Sequence, residues 1–364
     1  MARIVHVSEC LATGVLSVLS TLTHAQVRDG HEVTLLGSPL RSDTPPTWRD
    51  TLPASLRFVD VPMAREISVG GDLRGVARVW REVRSIAPDI VHLHSSKAGA
   101  LGRLACLPLR TRTKVVYQPH GLAYLRQDIS RTSRWAYRSI ERLLSLLGST
   151  VVACSEGERA ALDGVVARSR SAVVPNGVDL SAVPRASVNA ERLRIGTCGR
   201  ISPQKRPRFF AEVAQTLQDA ADFVWIGDGD AEGRQDLQRA GVRVTGWRTR
   251  AEALRDVGDL QIYVQTSAWE GMPVSVIEAM AAGLPIVATD IVGNRDLLAN
   301  SVAGTLVNEP REMAAALATL IADGSKRELA GSAARALAHQ RYSADVMVRN
   351  FYDIYGLDSS PTSA

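Results

Sequence analysis

Short apolar segments alternate with longer helical segments along nearly the whole chain, and this alternation constrains the fold more than any other feature. Each apolar segment is about five residues long, which is typical of a strand, and helical periodicity follows most of them, as in Val15–Arg28. Parallel strands need a crossover connection, usually a helix. The sequence therefore predicts an α/β fold of parallel sheets covered by helices. The predicted strands are Arg3–Ser8, Glu32–Leu36, Leu56–Val61, Ile90–His94, Val115–Gln118, Val151–Ser155, Leu193–Cys198, Phe223–Ile226, Val242–Thr245, Ile262–Gln265, Ile286–Thr289 and Gly304–Val307.

The alternation stops once, in a polar stretch around Pro175–Arg194, and then restarts. A chain of 364 residues is also longer than one ordinary domain. We therefore expect two doubly wound, Rossmann-like domains, residues 1–183 and 184–342, facing a central cleft. Residues 343–364 are expected to form a helix over Ser343–Tyr355 and then a disordered tail. In such sheets ligands bind beyond the carboxyl ends of the strands.

Charge is unevenly distributed between the two predicted domains. Residues 1–183 contain 23 Lys and Arg against 16 Asp and Glu, whereas residues 184–364 contain 20 against 22. The basic first domain is expected to meet an anionic partner. A membrane surface or a lipid-linked phosphate fits better than nucleic acid, because no nucleic-acid motif accompanies the charge.

The N-terminus lacks the pattern of a signal peptide, and no apolar run reaches the length of a membrane span. The four cysteines are far apart and have no paired spacing for zinc or redox chemistry. These features favour a cytoplasmic protein with reduced thiols, and they leave open a peripheral position on the inner face of the plasma membrane.

The segment after the predicted strand Ile262–Gln265 carries two glutamates at a helix start. Glu270 lies in the loop, and Glu278 lies about one turn into a helix expected to begin near Pro273. The amides of Val274 and Ser275 lie at the positive end of the helix dipole, where a diphosphate binds favourably. The two carboxylates can accept hydrogen bonds from two sets of hydroxyls, such as those of a sugar and a ribose.

A second loop with ligand-binding chemistry follows the strand that opens the second domain. Arg200 and Lys205 are five residues apart there, directly after Gly199. Two cations at a strand end can neutralise a leaving nucleoside diphosphate, which removes the need for a metal. A single one of these cations would more often be a solvated surface charge. The same holds for two glutamates eight residues apart without the other features.

Together these segments resemble the family-4 retaining glycosyltransferases of the GT-B fold over nearly the whole chain. Glu270 to Glu278, with seven residues between them, is the most specific feature. Further segments that carry the resemblance are Gly30–Val33, Pro119–Gly121, Pro175–Asp179, Gly199–Lys205, Gly227–Gly229 and Gly246–Trp247.

The resemblance implies that the second domain binds a nucleotide sugar and the first an acceptor. It also implies that the C-terminal helix Ser343–Tyr355 crosses back to the first domain. Arg200 and Lys205 would hold the diphosphate, Glu270 the sugar and Glu278 the ribose. His120 would contact the sugar near its 6-position and support the transition state without covalent attachment. The catalytic set would thus be His120, Glu270, Arg200 and Lys205, with no metal or cofactor. Other implied donor-binding residues are Gly14, Gly199, Gly246, Trp247, Arg248, Gly271, Met272, Val274 and Ser275.

The sequence departs from the family pattern at two places. Thr13 stands where many relatives have the first of two glycines, which weakens the expectation that Gly14 brings backbone to the donor phosphate. Met272-Pro273 stands where many relatives have Phe-Gly, and Pro273 removes one backbone donor from the expected phosphate site.

Two segments of the first domain are candidate acceptor sites. Ser95, Ser96 and Lys97 follow a strand end, with solvent-facing loop residues as the alternative. Arg131, Arg134, Arg138 and Arg142 recur at helical spacing and predict a basic stripe for anionic lipid or a lipid diphosphate. Its alternative is an ordinary helix whose apolar side packs and whose charged face is solvated, the apolar side being Trp135, Ile140, Leu143, Leu144 and Leu147.

We therefore expect a metal-independent retaining transferase acting in surface-polysaccharide assembly, as in the bacterial members of the family. It would move a hexose or N-acetylhexosamine from a nucleoside diphosphate sugar, with UDP slightly favoured, to a lipid-linked or saccharide acceptor. A dehydrogenase fits poorly, since no Gly-x-Gly-x-x-Gly loop follows the first strand. A GT-B sugar-nucleotide epimerase and a non-catalytic sugar-nucleotide binder remain as alternatives.

Overall fold

A computed structural model describes residues 1–64, 68–187, 191–299 and 301–358. It divides into two compact units, one of Met1–Asn176 with the described residues from Ala344 on, the other of Gly177–Ser343. The second unit begins seven residues before the boundary drawn from the sequence. The reason is local pairing, because the Val178 N–H donates to the Tyr342 carbonyl at 2.9 Å. The predicted disordered tail lies outside the described residues.

The first unit contains a seven-stranded parallel sheet in the order β3-β2-β1-β4-β5-β6-β7. Its strands are β1 (Arg3–Ser8), β2 (Glu32–Gly37), β3 (Arg57–Asp60), β4 (Ile90–His94), β5 (Lys114–Gln118), β6 (Thr150–Ala153) and β7 (Ser171–Val173). Its first five helices are α1 (Thr13–Arg28), α2 (Val69–Ile86), α3 (Ser96–Cys106), α4 (Arg131–Ser145) and α5 (Glu156–Ala161). Strand β7 was missed because three half-buried residues carry no readable periodicity.

The second unit contains a six-stranded parallel sheet in the order β10-β9-β8-β11-β12-β13. Its strands are β8 (Arg194–Cys198), β9 (Asp222–Ile226), β10 (Arg243–Val244), β11 (Ile262–Gln265), β12 (Ile286–Thr289) and β13 (Gly304–Val307). Its helices are α6 (Pro207–Leu217), α7 (Ala231–Arg239), α8 (Arg250–Gly258), α9 (Val274–Ala282), α10 (Val292–Leu298), α11 (Pro310–Ala322) and α12 (Gly324–Arg341). The predicted α/β class with two doubly wound sheets is confirmed.

The last helix, α13 (Ala344–Tyr355), belongs to the first unit and packs on α1. The Tyr352 hydroxyl donates to the Asp29 carboxylate at 2.8 Å, and Phe351 packs on the ring of His92, with centroids 5.0 Å apart. None of the helices in the described part of the chain is long and apolar enough to cross a membrane.

The two faces of the central strands of the first sheet differ in chemistry. Side chains alternate between faces along a strand, so the valines and leucines of β1 and β4 join a buried apolar core with α2 and α3. The opposite face carries three fully buried histidines, His6, His92 and His94. In each sheet the strand order reverses beside the first strand of the unit, between β1 and β4 and between β8 and β11. Ligands of doubly wound sheets bind at such points.

Candidate functional site

The loops after β8 and β11, which flank the reversal point of the second sheet, are joined by hydrogen bonds. The Gln204 side-chain amide donates to the Trp269 carbonyl at 2.9 Å, and the Ala268 N–H donates to the Gln204 carbonyl at 2.8 Å. The Thr266 hydroxyl donates to the Lys205 carbonyl. These bonds hold the two predicted ligand loops side by side.

The structure brings Lys205 and Glu270 together as an ion pair. Their Nζ and Oε1 atoms are 2.8 Å apart, and the Ser267 hydroxyl donates to the same oxygen at 2.9 Å. The Lys205 side chain runs along Gly199, where an added Cβ would lie 3.2 Å from its Cε atom. Gly199 also has a φ of +152°, so both its backbone and its lack of a side chain serve this arrangement.

Helix α9 begins at Val274, one position later than the predicted first helical residue, because Pro273 occupies the N-cap. The first intrahelical bond runs from Val276 to the Pro273 carbonyl, so the N–H groups of Val274 and Ser275 precede the helical ladder. The helix ends at Gly283, whose φ of +85° is the left-handed conformation expected of a terminating glycine.

Glu278 is buried and pairs with a residue that the sequence did not indicate. Its Oε1 atom lies 2.6 Å from the guanidinium of Arg250, the first residue of α8. Arg248, which is expected near the base, pairs with Asp256 at 2.9 Å, and its role toward the base stays a prediction. No local pattern points to Arg250, because its partner is 28 residues away on another helix.

The remaining predicted donor residues lie around these loops. Gly271 and Met272 are buried, and Gly271 lies against α10, since a Cβ on Gly293 would be 2.6 Å from the Gly271 carbonyl oxygen. Arg200 is half-buried beside Gly229. Gly246 and Trp247 follow β10, and the Trp247 side chain is exposed.

In the first unit, three non-glycine residues with positive φ follow the central strands. Thr13 (+49°) comes after β1, Ser95 (+70°) after β4 and His120 (+55°) after β5. Such backbone conformations cost about 1–3 kcal/mol each and concentrate at functional sites. Gly14 is the second residue of α1, directly after the strained Thr13.

The His120 loop is held by Glu158, a buried residue of α5. Its carboxylate accepts hydrogen bonds from the backbone N–H groups of Gly121, Leu122 and Cys154. Burial raises the pKa of Glu158, and these hydrogen bonds oppose the rise. Sequence reasoning missed Glu158, because a glutamate in a short helix otherwise reads as a surface charge.

The ring of His120 hydrogen-bonds His94, with its Nε2 atom 2.9 Å from Nδ1 of His94. Burial lowers the pKa of His120 to about 3. The imidazole is therefore neutral at physiological pH, so His120 acts as a dipole rather than as a cation.

The candidate acceptor residues Ser95, Ser96 and Lys97 are already engaged within the first unit. Lys97 pairs with Asp72 of α2 at 2.6 Å, and Ser95 hydrogen-bonds the buried carboxylate of Glu9. Ser96 is the first residue of α3 and hydrogen-bonds Tyr117. Their role toward an acceptor stays a prediction.

Helix α4 departs from the ordinary packed helix considered as an alternative. Trp135 is 72% exposed and Leu143 65% exposed, and Ile140 is exposed as well, so these side chains do not pack. Leu144 is buried and Leu147 half-buried. The expected apolar side is therefore mostly in solvent. Arg131, Arg138 and Arg142 are also exposed, and Arg134 is half-buried.

Comparison with known proteins agrees with this fold. Residues 12–182 match the family described as Glycosyltransferase Family 4, and residues 192–323 match Glycosyl transferases group 1. The Escherichia coli UDP-Gal:alpha-D-GlcNAc-diphosphoundecaprenol alpha-1,3-galactosyltransferase is 30% identical over 71% of this chain and 72% of its own length. The chain therefore belongs to glycosyltransferase family 4 and has the GT-B fold.

Two further similar proteins differ in their nucleotide. A GDP-mannose-dependent alpha-mannosyltransferase of Mycobacterium tuberculosis is 28% identical over 80% of this chain and 79% of its own length. Alr3699/HepE of Anabaena, solved with UDP and glucose, superposes with a TM-score of 0.78 at 20% identity, covering 98% of this chain and 100% of that one. The nucleotide of the donor therefore differs between the Escherichia coli and the mycobacterial relatives of this chain.

Proposed function

We propose that this glycosyltransferase moves a hexose or N-acetylhexosamine from a UDP-sugar to a lipid-linked saccharide, with retention of anomeric configuration, in surface-polysaccharide assembly. The observation that carries the proposal is the Lys205–Glu270 pair at the joined loops of the second unit. The pair supports the proposal because an ammonium group suited to a diphosphate lies beside a carboxylate suited to sugar hydroxyls.

Binding of the donor exchanges the partners of this pair. The diphosphate takes the ammonium of Lys205 and the guanidinium of Arg200, and the amides that precede the ladder of α9 add donors at the positive end of the helix dipole. The sugar hydroxyls then donate to Glu270. Glu278, oriented by Arg250, accepts from the ribose hydroxyls.

The proposed chemistry needs positioning and charge neutralisation rather than an acid–base pair. Negative charge grows on the diphosphate as the glycosidic bond breaks, and fixed cations stabilise it most where water is excluded. In front-face substitution the departing phosphate oxygen takes the proton of the acceptor hydroxyl. His120, being neutral, contacts the substrate as a hydrogen-bonding group.

The choice of donor base and acceptor in this proposal is based on two similar proteins. The Escherichia coli relative is named for UDP-galactose and an undecaprenol-linked diphosphate sugar, and Alr3699/HepE was solved with UDP. The mycobacterial relative instead uses GDP-mannose. UDP with a lipid diphosphate acceptor is therefore the proposal, and GDP-mannose is the competing donor to be tested beside it.

Peripheral contact with an anionic membrane forms part of the proposal. Exposed Trp135 and Leu143 together with the exposed arginines of α4 give the amphipathic surface that an interfacial helix presents to lipid. Such contact would bring the first domain to a lipid-linked acceptor on the inner face of the plasma membrane.

The decisive experiment is a transfer assay with the full chain. UDP-galactose, UDP-N-acetylglucosamine and GDP-mannose are each incubated with an undecaprenol diphosphate-linked N-acetylglucosamine acceptor, and nucleotide release is measured with the anomeric configuration of the product. Glu270→Gln should lower kcat by at least about 100-fold, since it loses a charged hydrogen bond made in the transition state. Lys205→Ala should raise the KM for the donor and also lower kcat, because Lys205 binds the diphosphate and stabilises the charge that grows on it in the transition state.

The control is Lys326→Ala, an exposed lysine of α12 that pairs only weakly with Asp323 at 3.7 Å. It should match the wild type in both constants. Normal turnover in Glu270→Gln would reject the proposal. Donor binding with no release of nucleoside diphosphate would favour the non-catalytic binder, and conversion of the free nucleotide sugar into an isomer would favour the epimerase.

Metal independence is tested in the same assay. Because the proposed diphosphate site uses Lys205, Arg200 and backbone amides, EDTA should leave kcat within about twofold of its value in magnesium. A loss of activity on chelation that magnesium restores would contradict this part of the proposal.

A further inference from the structure

Three histidine rings and one amide form a hydrogen-bonded chain across the buried face of the first sheet. Nε2 of His120 lies 2.9 Å from Nδ1 of His94, and Nε2 of His94 lies 2.9 Å from Nδ1 of His6. Nε2 of His6 lies 2.8 Å from Oε1 of Gln26, a fully buried residue of α1. The chain therefore runs from α1 through β1 and β4 to the loop after β5.

The rings meet end to end, as N–H···N bonds require. Their centroids are 5.2 Å apart for both His6–His94 and His94–His120, and the ring planes differ by only 28° and 18°. His92 is arranged differently, because it lies over the face of His94 at 4.0 Å and bonds the Tyr355 hydroxyl through Nδ1 at 2.7 Å. His92 is not one of the bonded rings, but its partner Tyr355 also hydrogen-bonds the side chain of Gln26.

The direction of every bond follows from the end of the chain. With its side-chain oxygen facing His6, Gln26 can only accept, so in this orientation His6 carries its proton on Nε2. Neutral His6 then offers Nδ1 as an acceptor, which requires a proton on Nε2 of His94. By the same step Nδ1 of His94 accepts, and His120 must carry its proton on Nε2.

All three imidazole rings of the hydrogen-bonded chain are neutral. Burial lowers the pKa of His6 to about 4 and that of His120 to about 3, and it lowers the pKa of His94 well below its usual range, with nearby His92 and His6 adding to the last shift. Within the described residues, Nδ1 of His120 has no hydrogen-bond partner.

We propose that Gln26 fixes the tautomer of His120 through His6 and His94, so that His120 offers Nδ1 to a substrate hydroxyl. Gln26, His6 and His94 are then positioning residues, and His120 is the one that touches substrate. This inference rests on the proposed role of His120 in the glycosyltransferase, but the order of protons in the chain is measurable without substrate.

The three histidines of β1 and β4 also lie close enough together to suggest a metal site, since His6, His92 and His94 each have a ring nitrogen within 4.8 Å of the others. The chain already uses both nitrogens of His6 and of His94. A metal would have to break these bonds, so the hydrogen-bonded chain is the better account of the cluster.

The test is a long-range ¹H–¹⁵N correlation of the imidazole rings in the full-length, ¹⁵N-labelled protein. The chain has seven histidines, and His24, His31 and His339 lie outside the cluster and serve as internal references. In the wild type His6, His94 and His120 should all be neutral with the proton on Nε2. A proton on Nδ1 of His120 would overturn the inference, since it would mean that Gln26 donates and every bond is reversed.

Two variants test the control by Gln26. Gln26→Met removes the acceptor at similar volume and should give mixed tautomers at His6, His94 and His120, with the reference histidines unchanged. Gln26→Glu keeps an acceptor oxygen and should restore the wild-type pattern. Unchanged tautomers in a folded Gln26→Met protein would show that Gln26 does not set the tautomer of His120. If that variant does not fold, the spectra of the wild type and of Gln26→Glu test the inference.

Activity separates this inference from the proposed function. Gln26→Met should lower kcat by about tenfold, the effect of weakening one neutral hydrogen bond, with the donor KM nearly unchanged. If the tautomers are as described but His120→Ala transfers sugar normally, the proposed role of His120 is wrong and the inferred order of protons along the hydrogen-bonded rings is still correct. If the tautomers differ while Glu270→Gln remains inactive, the inference fails and the proposed function stands.

Discussion

At the scale of single residues, the motifs of the sequence identified most of the charged groups at the candidate site. Lys205 and Glu270 were each predicted to bind a different part of the donor, and the structure adds that they pair with one another. Arg250 and Glu158 were missed, although each holds a predicted site element in place. Their partners lie on other elements, so no spacing along the chain reveals them.

At Thr13 the departure from the family pattern has a physical consequence, which is backbone strain. Its φ of +49° suits glycine, which many relatives have at this position, and a residue with a Cβ is strained there. The sequence showed the substitution, and only the backbone shows its cost.

This strain predicts a reversal of the usual helix preference. Thr13→Gly should be more stable than Thr13→Ala by about 1 kcal/mol, because alanine keeps the Cβ that conflicts with a left-handed backbone. At Thr319, an exposed residue within α11, the order should be the ordinary one, with alanine better than glycine by about 1 kcal/mol. Urea unfolding of the four variants measures both differences, and equal stability of the two Thr13 variants would contradict the assigned strain.

At the scale of elements, helix α4 shows the limit of periodicity. Its charged and apolar residues were correctly placed on a helix, but Trp135 and Leu143 face solvent instead of the core. A hydrophobic stripe predicts an apolar face, and it does not say whether protein or lipid covers that face. The neighbouring helices decide this, and they leave most of the apolar side uncovered.

The exposed surface of α4 predicts binding to anionic vesicles. The combined substitution of Arg131→Gln and Arg142→Gln should weaken binding about 30-fold, since each basic residue near an anionic surface contributes about 1 kcal/mol. Trp135→Ser should weaken it in neutral and anionic vesicles alike. Co-sedimentation in low salt measures both effects.

A matched control lies on α2 of the same unit, where Leu73 and Arg74 are exposed. Leu73→Ser with Arg74→Gln should bind vesicles as the wild type does. Equal recovery of the wild type with neutral and anionic lipid would rule out an electrostatic contact through α4.

At the scale of the whole molecule, four neutral histidines, three fully buried and His120 half-buried, make stability depend on pH. Burial holds the pKa values of His6, His92, His94 and His120 below the ordinary value of 6.5. Between their folded and unfolded pKa values the unfolded chain binds more protons, so stability is present above about pH 6.5 and is lost as pH falls below it. Glu158, whose pKa is raised, acts in the opposite direction but is a single group.

We therefore expect the free energy of unfolding to fall by about 1.4 kcal/mol per pH unit for each of these histidines below about pH 6. Urea unfolding at pH 7, 6 and 5 measures the slope. His92→Phe removes the one ring of the four that is outside the hydrogen-bonded chain. It should reduce the slope of unfolding free energy against pH by the contribution of one histidine, about 1.4 kcal/mol per pH unit. His339→Gln, an exposed site, should leave it unchanged, and a flat profile in the wild type would contradict the neutral cluster.

The order of apolar and polar residues determined the α/β class, the two sheets and the loops that carry Arg200, Lys205, Glu270 and His120, because strand and helix periods are local and each loop follows its strand directly. The tertiary structure alone decided which polar groups meet. His6 and His94 are 88 residues apart and hydrogen-bond only because β1 and β4 are neighbours in the sheet. Hydrogen bonds and ion pairs act over a few ångströms of space, and periodicity along the chain carries no information about that distance.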